Sequence, residues 1–343
     1  MTDTPIQRLH KQLDKVSKKR TKLYFITRVM KDGVKKSAKV MDKFDFKTYQ
    51  VDIDDEIREE LFDTAQKCIK SLVEKETDFD PYQVINDGMA TLMTYSMTDK
   101  VMSFKEVVEN QLPGTPPRIK NLGEIVGEEE LWAYAIGMYT TEQEWVYTFR
   151  KVLKSKVAID EKENEQRSTV GRALRTYFNT TNQQLELIEG DTVVLDKAID
   201  CFYFEETFYV HKQSQFEQIV GLEEEFRVQA EQVVGDLEAS GLFEGIEIMK
   251  GMLEDKAMHK KLVRLTKLGL YRRVDAKALK KMVQLAKRQG LKLNVADGKF
   301  ILDNNSDVDL VIKMLCAYFK KDEVFGDSYG TFSGTKLEVI AEA

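Results

Sequence analysis

Residues 131–153 read LWAYAIGMYTTEQEWVYTFRKVL. Two aromatic-rich stretches, LWAYAIGMYT and EWVYTFRKVL, flank a short polar turn with the period of two that strands require. They predict a β-hairpin carrying both tryptophans of the chain, Trp132 and Trp145. Before the hairpin, TKLYFITRV (21–29) predicts another strand. DIDDEIREELFDTAQKCIKSLVEKE (52–76) opens with acids and sets Ile57, Leu61, Ala65, Cys68 and Leu72 at spacings of four and three. That is the pattern of a helix with one buried stripe.

After the hairpin, RALRTYFN, QLELIEGDTVVL and AIDCFYFEETFYVHK predict a meander, with turns at Gly190 and at Glu205-Glu206. Helices then dominate. The first is QSQFEQIVGLEEEFRVQAEQVVGDLEAS (213–240), with Phe216, Ile219, Val220, Phe226, Val233 and Leu237 on its core face. A late hairpin, LKLNVADGKFILD, is signalled by Asp297-Gly298, a pair that tolerates positive φ. A closing helix, SDVDLVIKMLCAYFKK, begins at Ser306 as N-cap. The expected class is α+β: an antiparallel sheet or meander followed by a helical C-terminal part, with a smaller mixed N-terminal segment. Three of the five prolines fall in LPGTPP (112–117). Proline fixes φ and removes a donor, so the boundary is placed there: a mixed N-terminal domain over 1–120 and an α+β domain over 121–343.

A length of 343 residues, 42% of them apolar, supports packed cores and excludes a disordered chain. Cys68, Cys201 and Cys316 lie far apart in apolar surroundings, as buried thiols of a reducing cytosol do. MTDTPIQRLHKQL lacks the apolar segment of a signal peptide, and LWAYAIGMY is too short to cross a membrane. Membrane attachment is therefore expected only through a partner.

Charge is segregated. Lys256–Lys292 holds thirteen Lys or Arg residues against Asp275 alone, and Arg8–Lys43 holds thirteen against three acids. The windows carry +12 and +10 in a chain of net −6, so the remainder carries −28. On a helix over 256–268, Lys256, Lys260, Arg264 and Lys267 share one side, with Lys261 adjacent. Asp275 as N-cap and Gly290 as terminator bracket a second helix. There Leu279, Met282, Val283 and Ala286 form the apolar stripe, and Lys277, Lys281 and Arg288 line the opposite side. With Arg272 and Arg273 between the helices, these residues are the candidate nucleic-acid surface. Like charges at these spacings repel, and undiluted basic stripes suit a polyanion, above all phosphates contacted without base specificity. Solvated helix faces, contact with the chain's own acidic regions or with anionic lipid headgroups, and docking on an acidic partner are the competing readings. KKRTK (18–22) and VKKSAK (34–39) form a second, weaker basic arm.

Chemistry is sparse. His10, His211 and His259 stand apart from one another, so no metal or other cofactor is expected. GDSYGTFSGT (326–335) lacks the order of a phosphate-binding loop. A metal-dependent nuclease is the enzyme class that fits a basic surface, and Asp160-Glu161-Lys162 and Asp297-Gly298-Lys299 are its nearest patterns. The second is already explained as a hairpin turn.

The stretch DKAIDCFYFEETFYVHKQSQFEQIVGLEEEF (196–226), with Asp200 on a paired strand and Phe216-Glu217 opening a helix, is followed by lysine-rich helices, ADGKF and VIKMLCAYFKK. In this order the chain, over about 165–335, resembles the soluble subunit of the Kiwa anti-phage defence system. The resemblance implies a cytoplasmic, self-associating protein that binds double-stranded DNA without sequence preference and blocks phage replication and late transcription rather than cutting. It also implies recruitment to the inner membrane through a small membrane-embedded partner. No catalytic residue is implied.

Overall fold

A computed structural model describes residues 3–30, 44–75, 79–84, 92–97, 102–119, 130–152, 157–159, 166–168, 176–179, 184–187, 195, 197–316, 318–321 and 328–330. The chain opens with α1 (Pro5–Gln12), capped by Thr4, and the long strand β1 (Ser17–Met30). β2 (Phe44–Val51), α2 (Asp55–Lys75), β3 (Asp80–Pro81), β4 (Met93–Ser96) and α3 (Met102–Glu106) follow. A π-helical turn, Val107–Gln111, leads through the LPGTPP segment into β5 (Arg118–Ile119). β6 (Glu130–Tyr139) and β7 (Trp145–Lys151) are the hairpin expected around the two tryptophans, in register from Tyr139↔Trp145 to Ala133↔Lys151.

β8 (Val157–Ile159) and β9 (Gln166–Ser168) pair with each other, as do β10 (Thr176–Asn179) and β11 (Gln184–Leu187). β12 (Cys201–Phe204) and β13 (Thr207–Val210) turn at Glu205 and Glu206, whose φ values of 43° and 58° give the primed turn that suits twisted strands. The expected turn at Gly190 lies outside the described residues.

Nine strands form one sheet in the order β3-β4-β13-β12-β7-β6-β1-β2-β5. It takes strands from both sides of residue 120, since β1 pairs with β6 from Leu23↔Ile136 to Ile26↔Ala133. The expected boundary at LPGTPP is thus corrected. Leu112 is fully buried in the sheet's core and anchors the segment there, while Pro113, Gly114, Thr115 and Pro117 are exposed.

Alternation along the strands fills two apolar layers. Tyr24, Ile26, Ala135, Tyr147 and Phe149 face one, while Leu23, Phe25, Tyr134, Ile136 and Val146 face the other, beneath Leu9 of α1 and Leu61, Phe62, Ala65 and Ile69 of α2. The α2 stripe is rotated from expectation: Ile57 is 42% exposed, being about a quarter-turn from the buried set. Cys68 is half-buried, not buried as expected, whereas Cys201 and Cys316 are buried.

The predicted helix over 213–240 is two helices, α4 (Gln213–Val220) and α5 (Leu222–Ala239). Gly221, at φ 84°, adopts the left-handed conformation that ends one and re-aims the other. All six expected core residues are buried, but they serve two cores. Phe216 to Phe226 pack on the sheet, while Val233 and Leu237 join a separate C-terminal cluster. That second core is closed by β14 (Phe243–Glu244), α6 (Ile246–Gly251), α7 (Lys256–Leu268), α8 (Ala276–Arg288), β15 (Val295–Ala296), β16 (Lys299–Ile301) and α9 (Asn305–Leu315). Asp297 and Gly298, at φ 49° and 75°, form the turn predicted between β15 and β16. Asn304, not Ser306, caps α9: its side chain accepts from the Ser306 and Asp307 amides, and Asp307 reciprocates. β17 (Phe319–Lys321) and β18 (Ser328–Gly330) pair last.

Candidate nucleic-acid interface

Both basic helices start where acids cap them. Asp255 accepts from the Ala257 amide at 2.9 Å, and Asp275 from the Ala278 amide at 2.7 Å. Between them Gly269 ends α7, and a short 3-10 turn over Leu270–Arg273 buries Tyr271 in the second core. Arg272 and Arg273 stand on that anchored turn, both exposed.

The two helices use their charge differently. α7 packs among α5, α9 and the C-terminal core, and its cations turn to acids on α4, α5 and α9. Lys256 Nζ lies 2.6 Å from Glu223, Lys260 Nζ 2.5 Å from Glu217, and Lys261 Nζ 2.6 Å from Asp309. Arg264 is 9% exposed, with its guanidinium 5.5 Å from the Tyr318 ring centre. A charge taken from water needs such partners, because desolvation alone costs several kcal/mol. Lys267 lies in the last turn of α7.

On α8 the apolar stripe falls as predicted, with Leu279 and Ala286 buried. Lys277, Lys281 and Arg288 stand exposed within about 40° of arc on the opposite side. Among the described residues no carboxylate reaches ion-pair distance of these three, nor of Arg273. Arg272 donates from Nε to the Tyr271 hydroxyl at 3.1 Å. Lys280 and Lys287, which the stripe argument had not selected, are exposed beside the row and equally unpaired. Their signal was the charge count, which included them. Lys287 and Arg288 also sit in the last turn, where the helix dipole favours cations. Of the ten expected residues, Lys277, Lys281 and Arg288 share one exposed face of α8 and Arg272 and Arg273 are exposed on the turn before it, while Lys260, Lys261 and Arg264 are tied into the fold.

Two acids singled out in the sequence are structural. Asp200 is fully buried; Arg150 Nη1 donates to it at 2.5 Å and the Lys151 amide at 2.7 Å, which locks β12 to β7. Glu217 is 1% exposed and accepts from the Tyr82 hydroxyl at 2.7 Å as well as from Lys260. His259 is buried, its Nε2 2.7 Å from the Leu253 carbonyl. Among the described residues no group of three or more His, Cys, Asp or Glu could hold a metal ion, and no helix is long and apolar enough to cross a membrane. Asp160-Glu161-Lys162 lies outside the described residues.

A family model described as Kiwa protein KwaB-like matches residues 128–321, more than half of the chain. No curated protein and no solved structure matches.

Proposed function

This chain belongs to the Kiwa KwaB-like family of anti-phage defence, and from that premise we propose that it binds duplex DNA without sequence preference through α8 and the turn before it. One observation carries the reading. Arg273, Lys277, Lys280, Lys281, Lys287 and Arg288 are exposed and unpaired among the described residues, in a chain whose net charge is −6. Some solvated lysines elsewhere pair with acids, as Lys197 does with Glu60 and Lys250 with Glu238 and Glu247, whereas single ones such as Lys67 and Lys299 stand without an acid among the described residues; α8 differs in gathering such cations on one helix.

The mechanism is electrostatic. Each cation that neutralises a phosphate releases condensed counterions, so engagement of about six phosphates lowers affinity roughly a thousandfold between about 50 and 200 mM salt. The acidic remainder repels DNA and leaves the α8 face as the docking side. The reading extends to assembly with a membrane-embedded subunit and with further copies of this chain. It also extends to obstructing phage replication and transcription rather than cutting.

Gel mobility of a linear random-sequence duplex, with protein added in the presence and absence of Mg²⁺, tests the proposal. Retarded, full-length DNA under both conditions is expected. Fragments that appear only with Mg²⁺ would replace it with a metal-dependent nuclease. No retardation at low salt would replace it with docking on an acidic protein partner.

A further inference from the structure

β1 and β6 fall out of step at the start of the sheet: Ser17 pairs with Tyr139 and Lys22 with Gly137, five positions on β1 against two on β6. The surplus residues bow outward beyond the end of β2, whose pairing with β1 stops at Leu23↔Val51. Between this bow and the ends of β2, β5, β6 and β7 lies a recess of ≈ 500 Å³. Lys19, Arg20, Lys22, Arg58 and Arg118 line it, with Asp52 as the one carboxylate.

Apart from Arg58, which pairs with Asp55, these cations are not neutralised among the described residues. Arg20 sits over the Tyr139 ring, 4.6 Å from its centre, and Lys22 lies 5.0 Å from the centre of the Trp145 ring. Neither makes an ion pair among the described residues, nor does Lys19 or Arg118. By contrast, Lys18, one residue away, pairs with Asp63 at 2.8 Å. Partial burial and the neighbouring Arg118 charge both lower the Lys22 pKa, as expected where cations crowd together.

A second observation points into the same recess. Thr21 and Arg58 both line it, and the Thr21 hydroxyl and Arg58 Nε are buried with no hydrogen-bond partner among the described residues. Arg58 is meanwhile fixed by Asp55 and by the Ile53 carbonyl. Buried polar atoms left unpaired are costly, and a polar ligand that reaches them removes that cost.

We infer that this recess binds a nucleoside phosphate. Clustered cations suit the phosphate, the Thr21 hydroxyl and Arg58 Nε–H suit the polar edge of a sugar or base, and Tyr139 and Trp145 supply an apolar wall. A space of ≈ 500 Å³ admits one nucleotide but not a duplex, so this site is separate from the α8 face. The nucleotide is either free in solution or the terminal one of a strand.

Fluorescence anisotropy of mant-ATP titrated with the full chain tests the inference. Saturable binding is expected, displaced by ATP and AMP at far lower concentration than by inorganic phosphate. Lys22→Gln and Arg118→Gln, made separately, should each weaken it by roughly tenfold and Thr21→Val by a few-fold, with melting temperatures unchanged. Lys277→Glu/Lys281→Glu should bind mant-ATP as the wild type does, so failure of the DNA proposal and failure of this one are distinguishable. Displacement by a 5′-phosphorylated dinucleotide better than by AMP would identify a strand end as the source. The inference falls if binding does not saturate by about 1 mM, a concentration typical of weak metabolite sites. It also falls if inorganic phosphate competes as well as ATP, or if the α8 variant alone abolishes binding.

Discussion

Lys260 Nζ lies 2.5 Å from the carboxylate of Glu217, a side chain 1% exposed in the middle of α4. The contact joins the helix that packs on the sheet to the helix that leads the basic segment, and the Tyr82 hydroxyl completes it. Removing Glu217 leaves the partly buried Tyr82 hydroxyl without its acceptor and Lys260, 29% exposed, without its counter-ion, whereas removing Lys260 strands Glu217 in the interior. Glu217→Ala should therefore destabilise the fold by about 3 kcal/mol, while Glu217→Gln, which keeps the Tyr82 hydrogen bond, should cost less. Denaturant melts of the two variants check this order. Lys260→Glu places two carboxylates together and should unfold before any DNA effect can be read.

That contact also marks the limit of what could be read from the sequence. The hairpin around Trp132 and Trp145, both basic helices with the Asp275 cap of the second, and the Asp297-Gly298 turn are local patterns. Each was legible because neighbours in sequence decide it. The fate of the α7 cations was not, since Glu217, Glu223 and Asp309 arrive from other helices. Spacing showed that Lys260 and Arg264 share a helix side; it could not show that another element covers it. The joining of Leu23 to Ile136 across LPGTPP was hidden for the same reason, and Pro-rich composition misled because Leu112 is an apolar anchor.

Asp309 ties α9 to α7. Burial pushes its carboxyl upward, but hydrogen bonds from Lys261 and Lys313 outweigh that and hold it below the usual carboxylate range. A depressed folded pKa contributes stability that is present above the unfolded value of about 4 and lost as pH falls through the folded one. The stability gap between wild type and Asp309→Asn should thus be constant near neutrality and close in acid. A series of urea melts from about pH 7 to pH 2 measures it.

Thiol chemistry should separate the cysteines. Burial pushes Cys316 up to about 12 and Cys201 well above the ordinary thiol value, whereas Cys68 is half-buried. At about pH 8 the native protein should titrate one thiol quickly with Ellman's reagent and all three in denaturant. Two fast native thiols would contradict the burial. The same raised values mean that the folded state holds protons the unfolded state has released, so stability should fall as pH rises above about 9.

The central claim is that α8, not α7, meets DNA. The most direct measurement is the salt dependence of random-sequence duplex affinity, by fluorescence anisotropy without Mg²⁺, for wild type and for Lys277→Glu/Lys281→Glu/Arg288→Glu. These side chains are exposed and unpaired among the described residues, so the variant should melt like the wild type. Its slope of log affinity against log salt should shrink by about three phosphate contacts, roughly 2.7. A variant that binds with the wild-type affinity and slope would contradict the account, as would a wild type that does not bind duplex at low salt.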